Sequence, residues 1–162
     1  MFVNYSMYKI LPILLFAFGL AVTTDDIYDN SYALIIGIDK YENVKNLDYA
    51  VDDANSIRNL LIEQFNFLPE NITLLVNEKA TYTKIKKSLS YVTRQASEND
   101  RILIFFAGHG ETIDLPESGE MGFLIPADGE EDDLYATSLE MDELRKVSSL
   151  SKAKHILYLV DA

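Results

Sequence analysis

From Tyr32 onward, short runs of apolar residues alternate with segments in which apolar residues return every three or four positions. The first pattern marks a strand buried on both faces and the second a helix with one apolar stripe. Together they predict an α/β chain of strands joined by crossover helices in a parallel sheet. Four strands are predicted, over Ala33–Ile38, Ile72–Val76, Arg101–Phe106 and His155–Val160. None has a polar face, so each should be covered on both sides.

Between the first two strands, Ala50, Ala54, Ile57, Leu61 and Phe65 fall on one stripe of a helix, with Asp48 placed to cap it. Between the second and third, Ile85, Leu89, Val92 and Ala96 repeat the spacing, and Thr81 or Thr83 can accept the free amides of the first turn. A third helix is predicted over Met141–Leu150. Ahead of it runs an acidic stretch from Glu111 to Asp133, read as a solvated loop and broken by Gly122–Asp128, where Phe123, Leu124 and Ile125 suggest a short extended piece.

Composition changes this picture in two places. The net charge of −12 is local, because residues 102–144 hold 12 of the 26 acids and no Lys or Arg, while the remainder balances 14 acids against 14 bases. Such a surface repels nucleic acid and anionic membranes and suits basic peptides or divalent cations. The chain also contains no cysteine, which leaves no disulfide, zinc-thiolate or thiol nucleophile within it. With 48% hydrophobic and 25% charged residues, it is otherwise ordinary for one globular domain.

Residues 1–24 stand apart. A single positive charge precedes the 13-residue apolar run Ile10–Val22, and Asp25 and Asp26 follow it, the layout of a secretory signal peptide. The run is shorter than the ~20 residues that span a bilayer, and Gly19, Ala21 and Thr23 offer small residues for cleavage. The expectation is a secreted or secretory-pathway protein, with anchoring by residues 10–22 as the alternative. Asn71-Ile72-Thr73 then reads as a glycosylation sequon.

Candidate chemistry lies where loops leave the carboxyl ends of the strands. The third strand runs into Ala107-Gly108-His109-Gly110, and the fourth into Asp161-Ala162. A histidine between two glycines at a strand end is exposed by a sharp bend and suits a general base, while Gly110 N–H can serve as an oxyanion donor. A turn histidine whose glycines serve only the bend is the alternative reading. His155, beside Lys154 at the start of a strand, reads as structural.

Five blocks carry a resemblance: Tyr32–Ile38 (YALIIGI), Ala50–Ala54 (AVDDA), Ile102–Gly110 (ILIFFAGHG), Gly122–Asp128 (GFLIPAD) and Ile156–Ala162 (ILYLVDA). In this order, over residues 31–162, they resemble the caspase-like cysteine peptidase family, nearest its metacaspase and bacterial-type branches. The resemblance implies a caspase-like three-layer αβα sandwich with a mainly parallel sheet, incomplete at the C-terminus. It also implies a Cys–His dyad whose cysteine follows Ala162, 54 residues after His109, near the separation of about 50 known for caspases.

The same resemblance makes His109 the base and Gly110 an oxyanion donor, and it places Asp53 and Asp161 in an acidic pocket for Arg or Lys before the scissile bond. On their own, Asp53 also fits a solvent-facing residue of the helix's first turn and Asp161 a carboxylate that caps nearby amides. No cofactor is implied. Calcium-dependent members carry adjacent aspartates ahead of the third helix, of which Met141-Asp142-Glu143 retains part, and the acids from Glu130 to Asp133 offer oxygen ligands without EF-hand spacing. Ala107 stands where metacaspases often have serine. Implied partners are a peptide or protein substrate with a basic residue at the cleavage site and, in a non-catalytic role, a homologue. Nucleic acid is not a partner, and a membrane is one only if the N-terminal segment is retained. A legumain-like secreted peptidase is the remaining alternative.

Overall fold

The structure is a computed structural model and describes residues 27–117 and 119–162. The signal peptide and anchor expected over residues 1–24 lie outside the described residues. Among the described residues, no helix is long and apolar enough to cross a membrane.

Strands β1 (Ser31–Gly37), β2 (Ile72–Val76), β3 (Arg101–Ala107) and β7 (His155–Asp161) form an all-parallel sheet in the order β2-β1-β3-β7. Helices α1 (Ala50–Phe65), α2 (Tyr82–Gln95) and α4 (Met141–Leu150) supply the crossovers and cover the sheet on both faces. Between β3 and β7, a second sheet of order β4-β5-β6 is built from β4 (Gly110–Asp114), β5 (Glu120–Leu124) and β6 (Leu139–Glu140). The one-turn helix α3 (Leu134–Thr137) leads into β6.

Alternation along the strands divides the core in two. Ala33, Ile35, Leu103, Phe105 and Ala107 face α1 with Ala50, Ala54 and Leu61, while Leu34, Ile36, Ile102, Ile104 and Phe106 face α2 and α4 with Ile85, Leu89, Val92 and Leu144. Each fully buried Leu, Ile or Phe contributes about 1.5–3 kcal/mol, so the two clusters dominate the stability of the fold. Gly37 lets α1 come close to the sheet. A Cβ there would stand 2.5 Å from the Ala50 carbonyl oxygen and 2.6 Å from Ala54 Cβ.

Three expectations need correction. Asp48 does not cap α1: the helix is preceded by Tyr49 in the left-handed region (φ 78°) with no side-chain cap, and Asp39 Oδ1 instead accepts the Val51 amide at 3.4 Å. The fourth strand is not covered on both faces in the described residues. Leu157 and Leu159, on the outermost strand of the described sheet, are 51% and 38% exposed. The acidic stretch is not all loop, because Gly110–Asp114 and Glu120–Leu124 pair antiparallel as a hairpin. Thr81 does cap α2, accepting the Lys84 amide at 3.3 Å.

Candidate active site

Strand order reverses direction between β1 and β3, since the β1–α1–β2 connection goes one way and the α2 crossover returns past β1 to the other side. A cleft opens at the carboxyl ends of the strands beside such a switch point. Here it holds about 270 Å³ and is lined by Leu47, Asp48, Asp53, His109, Gly110 and Asp161, among others.

The sheet ladder brings the pieces together. Parallel pairing of β3 with β7 sets Ala107 opposite Asp161, and the Gly108 amide donates to the Asp161 carbonyl at 3.1 Å. The His109 carbonyl then accepts the Ile125 amide at 2.9 Å, which starts the β4–β5 hairpin. Because that bond makes His109–Ile125 the hydrogen-bonding position of the ladder, Gly110 and Leu124 form the next, non-bonded pair. The Gly110 N–H therefore points away from β5. A Cβ on Gly110 would stand 2.9 Å from Ala162 Cβ, so glycine is what lets the end of β7 lie against this backbone.

His109 is half-buried, and its surroundings specify its protonation pattern. Nε2 lies 2.7 Å from the Lys45 carbonyl oxygen. A carbonyl only accepts, so Nε2 carries the hydrogen and in the neutral ring Nδ1 holds the lone pair. The ring packs against Tyr41, with centroids 4.9 Å apart at 53°, and the Tyr41 hydroxyl accepts the His109 backbone N–H at 2.8 Å.

All four site residues expected from the sequence therefore meet in one cleft: His109 and Gly110 from the β3–β4 bend, Asp53 from the first turn of α1, and Asp161 from the end of β7. Asp48 joins them as a third carboxylate in place of its expected capping role. Sequence reasoning missed Tyr41 and Lys45, which sit in an aperiodic polar loop and, in the case of Lys45, act through a backbone atom. His155 lies at the opposite end of the sheet, its Nδ1 3.0 Å from the Tyr28 hydroxyl.

Among the described residues, no three His, Asp or Glu side chains gather as a metal site. Asp142 pairs with Arg145 at 3.1 Å and Glu143 with Lys86 at 2.7 Å, while Asp133 caps α3 through the Ala136 amide.

A family model described as "Caspase domain" matches residues 30–162. The chain belongs to the caspase-domain family. Among curated relatives, this caspase domain is 31% identical to metacaspase-7 of Arabidopsis thaliana over 107 residues, 59% of this chain and 26% of that protein. It is 30% identical to metacaspase-1A of Aspergillus oryzae over 132 residues, 77% of this chain and 27% of that protein. The chain thus spans about a quarter of the length of the curated relatives it matches. A crystal structure of a Geobacter sulfurreducens protein shares the fold with a TM-score of 0.67 at 19% identity, over 82% of this chain and 50% of that one. Membership relates the chain to a family of cysteine peptidases.

Proposed function

We propose that this caspase domain supplies the base, the oxyanion donor and the specificity pocket of a cysteine endopeptidase that cleaves after Arg or Lys. The convergence of His109, Gly110, Asp53 and Asp161 on one cleft supports this reading most strongly. The 162 residues contain no cysteine, so this reading requires a thiol from sequence outside them, directly after Ala162 if the resemblance holds there.

In the proposed reaction, His109 Nδ1 takes the thiol proton and the thiolate sulfur attacks the scissile carbonyl carbon. As the C–S bond forms, the carbonyl π electrons move onto oxygen, where Gly110 N–H stabilises the oxyanion. The intermediate collapses by expelling the amine, which takes the proton from His109. Water then attacks the acyl-enzyme with His109 again as base, releasing the acid and restoring the thiol. Lys45 stabilises the imidazolium through its carbonyl, and three carboxylates present oxygen to a guanidinium or ammonium ahead of the scissile bond.

The test uses the gene product with whatever follows Ala162. It should hydrolyse Arg- and Lys-terminated fluorogenic peptides, lose this with His109→Ala, and lose roughly tenfold or more in kcat/KM with Asp53→Asn or Asp161→Asn, from the lost charge-assisted bonds. Cleavage after Asn would move the protein to a legumain-like specificity, and no cleavage of any peptide would overturn the enzymatic reading. A second reading, a non-catalytic module that pairs with a homologue, draws on the exposed Leu157 and Leu159 of edge strand β7. Sedimentation as a strict monomer, together with no recovered homologue, would end it. Entry to the secretory pathway through residues 1–24 is part of the same proposal, and N-terminal sequencing of the mature product tests it.

A further inference from the structure

A general base works only when its ring is held in place, and the backbone of His109 lies between two glycines that leave it unusually free to rotate. One loop restrains it. Residues 39–47, between β1 and α1, contribute both the Lys45 carbonyl on Nε2 and the whole of Tyr41. The Tyr41 hydroxyl accepts the His109 amide, the one backbone polar group of that residue that the β4–β5 ladder does not use. Its ring lies against the imidazole, and its oxygen fills the floor of the bend, 2.6 Å from where a Cβ on Gly108 would stand.

The loop is itself tied down at several points. Asn46 Oδ1 accepts the Tyr41 amide at 2.9 Å, Asn77 Oδ1 accepts the amides of Asp39 and Lys40 at 2.9 and 3.0 Å, and the Glu42 amide donates to the Ala127 carbonyl at 2.9 Å. Burial pushes the Tyr41 phenol up to about 12, so it stays a neutral hydroxyl throughout the neutral range.

The geometry points to Tyr41 as the positioning residue of the His109 base: its hydroxyl fixes the backbone and its ring fixes the plane of the imidazole, so that Nε2–H stays on the Lys45 carbonyl and Nδ1 keeps the lone pair. The role as a base rests on the function proposed above, while the positioning itself can be read without any peptidase activity.

Nitrogen-15 NMR of the 162-residue chain tests it, with His155 as an internal control because the chain has only two histidines. In the unmodified protein, neutral His109 should appear as the single Nε2–H tautomer. Tyr41→Phe removes only the hydroxyl. It should speed exchange of the His109 amide roughly tenfold, the effect of losing one backbone bond, and admit the second tautomer, with His155 unchanged. Tyr41→Leu removes the ring as well and should shift the tautomer balance further. Tyr135→Phe, at a highly exposed tyrosine, should alter neither reading. A tyrosine that served packing alone would lower the melting temperature and leave the His109 tautomer intact. That result, or equal changes at both histidines, overturns the proposal. Should the full gene product prove inactive on every peptide, the amide and tautomer readings would still decide whether Tyr41 holds His109.

Discussion

Gly37→Ala is the most informative perturbation of the scaffold. The added methyl would stand 2.5 Å from the Ala50 carbonyl oxygen and 2.6 Å from Ala54 Cβ, distances that real Cβ atoms essentially never show. Neither neighbour is the flexible end of a long side chain. One is helix backbone and the other a methyl already packed against the sheet, so relief requires α1 to lift from β1. Overpacking of this kind costs about 1–3 kcal/mol, and the rigid neighbours put this case at the upper end. For a chain of this size, each kcal/mol lowers the midpoint by about 2–4 °C, so a fall of about 4–12 °C is expected in circular dichroism melts. Gly119→Ala is the control, because nothing lies within 4 Å of its Cβ and only the positive φ of 94° opposes the change. The first turn of α1 also carries Asp53, so Gly37→Ala should weaken Arg-peptide binding where Gly119→Ala does not. A Gly37→Ala protein that melts within 1 °C of the parent would refute the close-packing account.

Asp100→Ala should cost about 1–3 kcal/mol in urea unfolding, because this fully buried carboxylate accepts the Asn30 side-chain amide at 3.0 Å and the Ser97 backbone amide at 2.6 Å, both of which would lose their partner; an unchanged midpoint would contradict that role. Alkaline stability follows from Tyr41, whose phenol rises from 10 to about 12 chiefly through burial. The folded state then holds a proton the unfolded chain releases, so the stabilisation is complete below pH 10 and is lost as the pH rises toward about 12. Burial shifts Tyr32 and Tyr158 in the same direction, so Tyr41→Phe should flatten the alkaline decline in melting temperature without abolishing it, and an unchanged decline would count against the burial of Tyr41.

The parts of the fold that were legible in the sequence are those where burial imposes a period. β2 and α4 lie where the pattern puts them, and β1, β3 and β7 differ only at their ends. β4 could not be seen, because Gly110–Asp114 is exposed throughout and no alternation marks a strand with no buried face. The cover expected over both faces of β7 is not complete among the described residues, where that apolar run forms the outermost strand of the sheet. Within the site, His109 and Gly110 were legible because the glycines flag the bend. Asp53 and Asp161 came from the family resemblance alone, and Asp48 was assigned to a cap by position. Lys45 leaves no trace, since a backbone carbonyl belongs to every residue.

The register of β3 on β7 has a consequence for how such a site tolerates change. Seven consecutive residue pairs, from Arg101–His155 to Ala107–Asp161, act as a ruler between the histidine bend and the end of β7. A slip of one residue would shift the two by about 3.3 Å and turn every β7 side chain to the other face, so the spacing is either correct or lost. Residues 111–153 take no part in that ladder. Beyond Gly110, the hairpin, the acidic stretch and α4 are free to lengthen, shorten or diverge while the ladder resets the distance each time the chain folds. Variation in this domain should therefore accumulate between Gly110 and β7, and spare the histidine bend and the pairing itself.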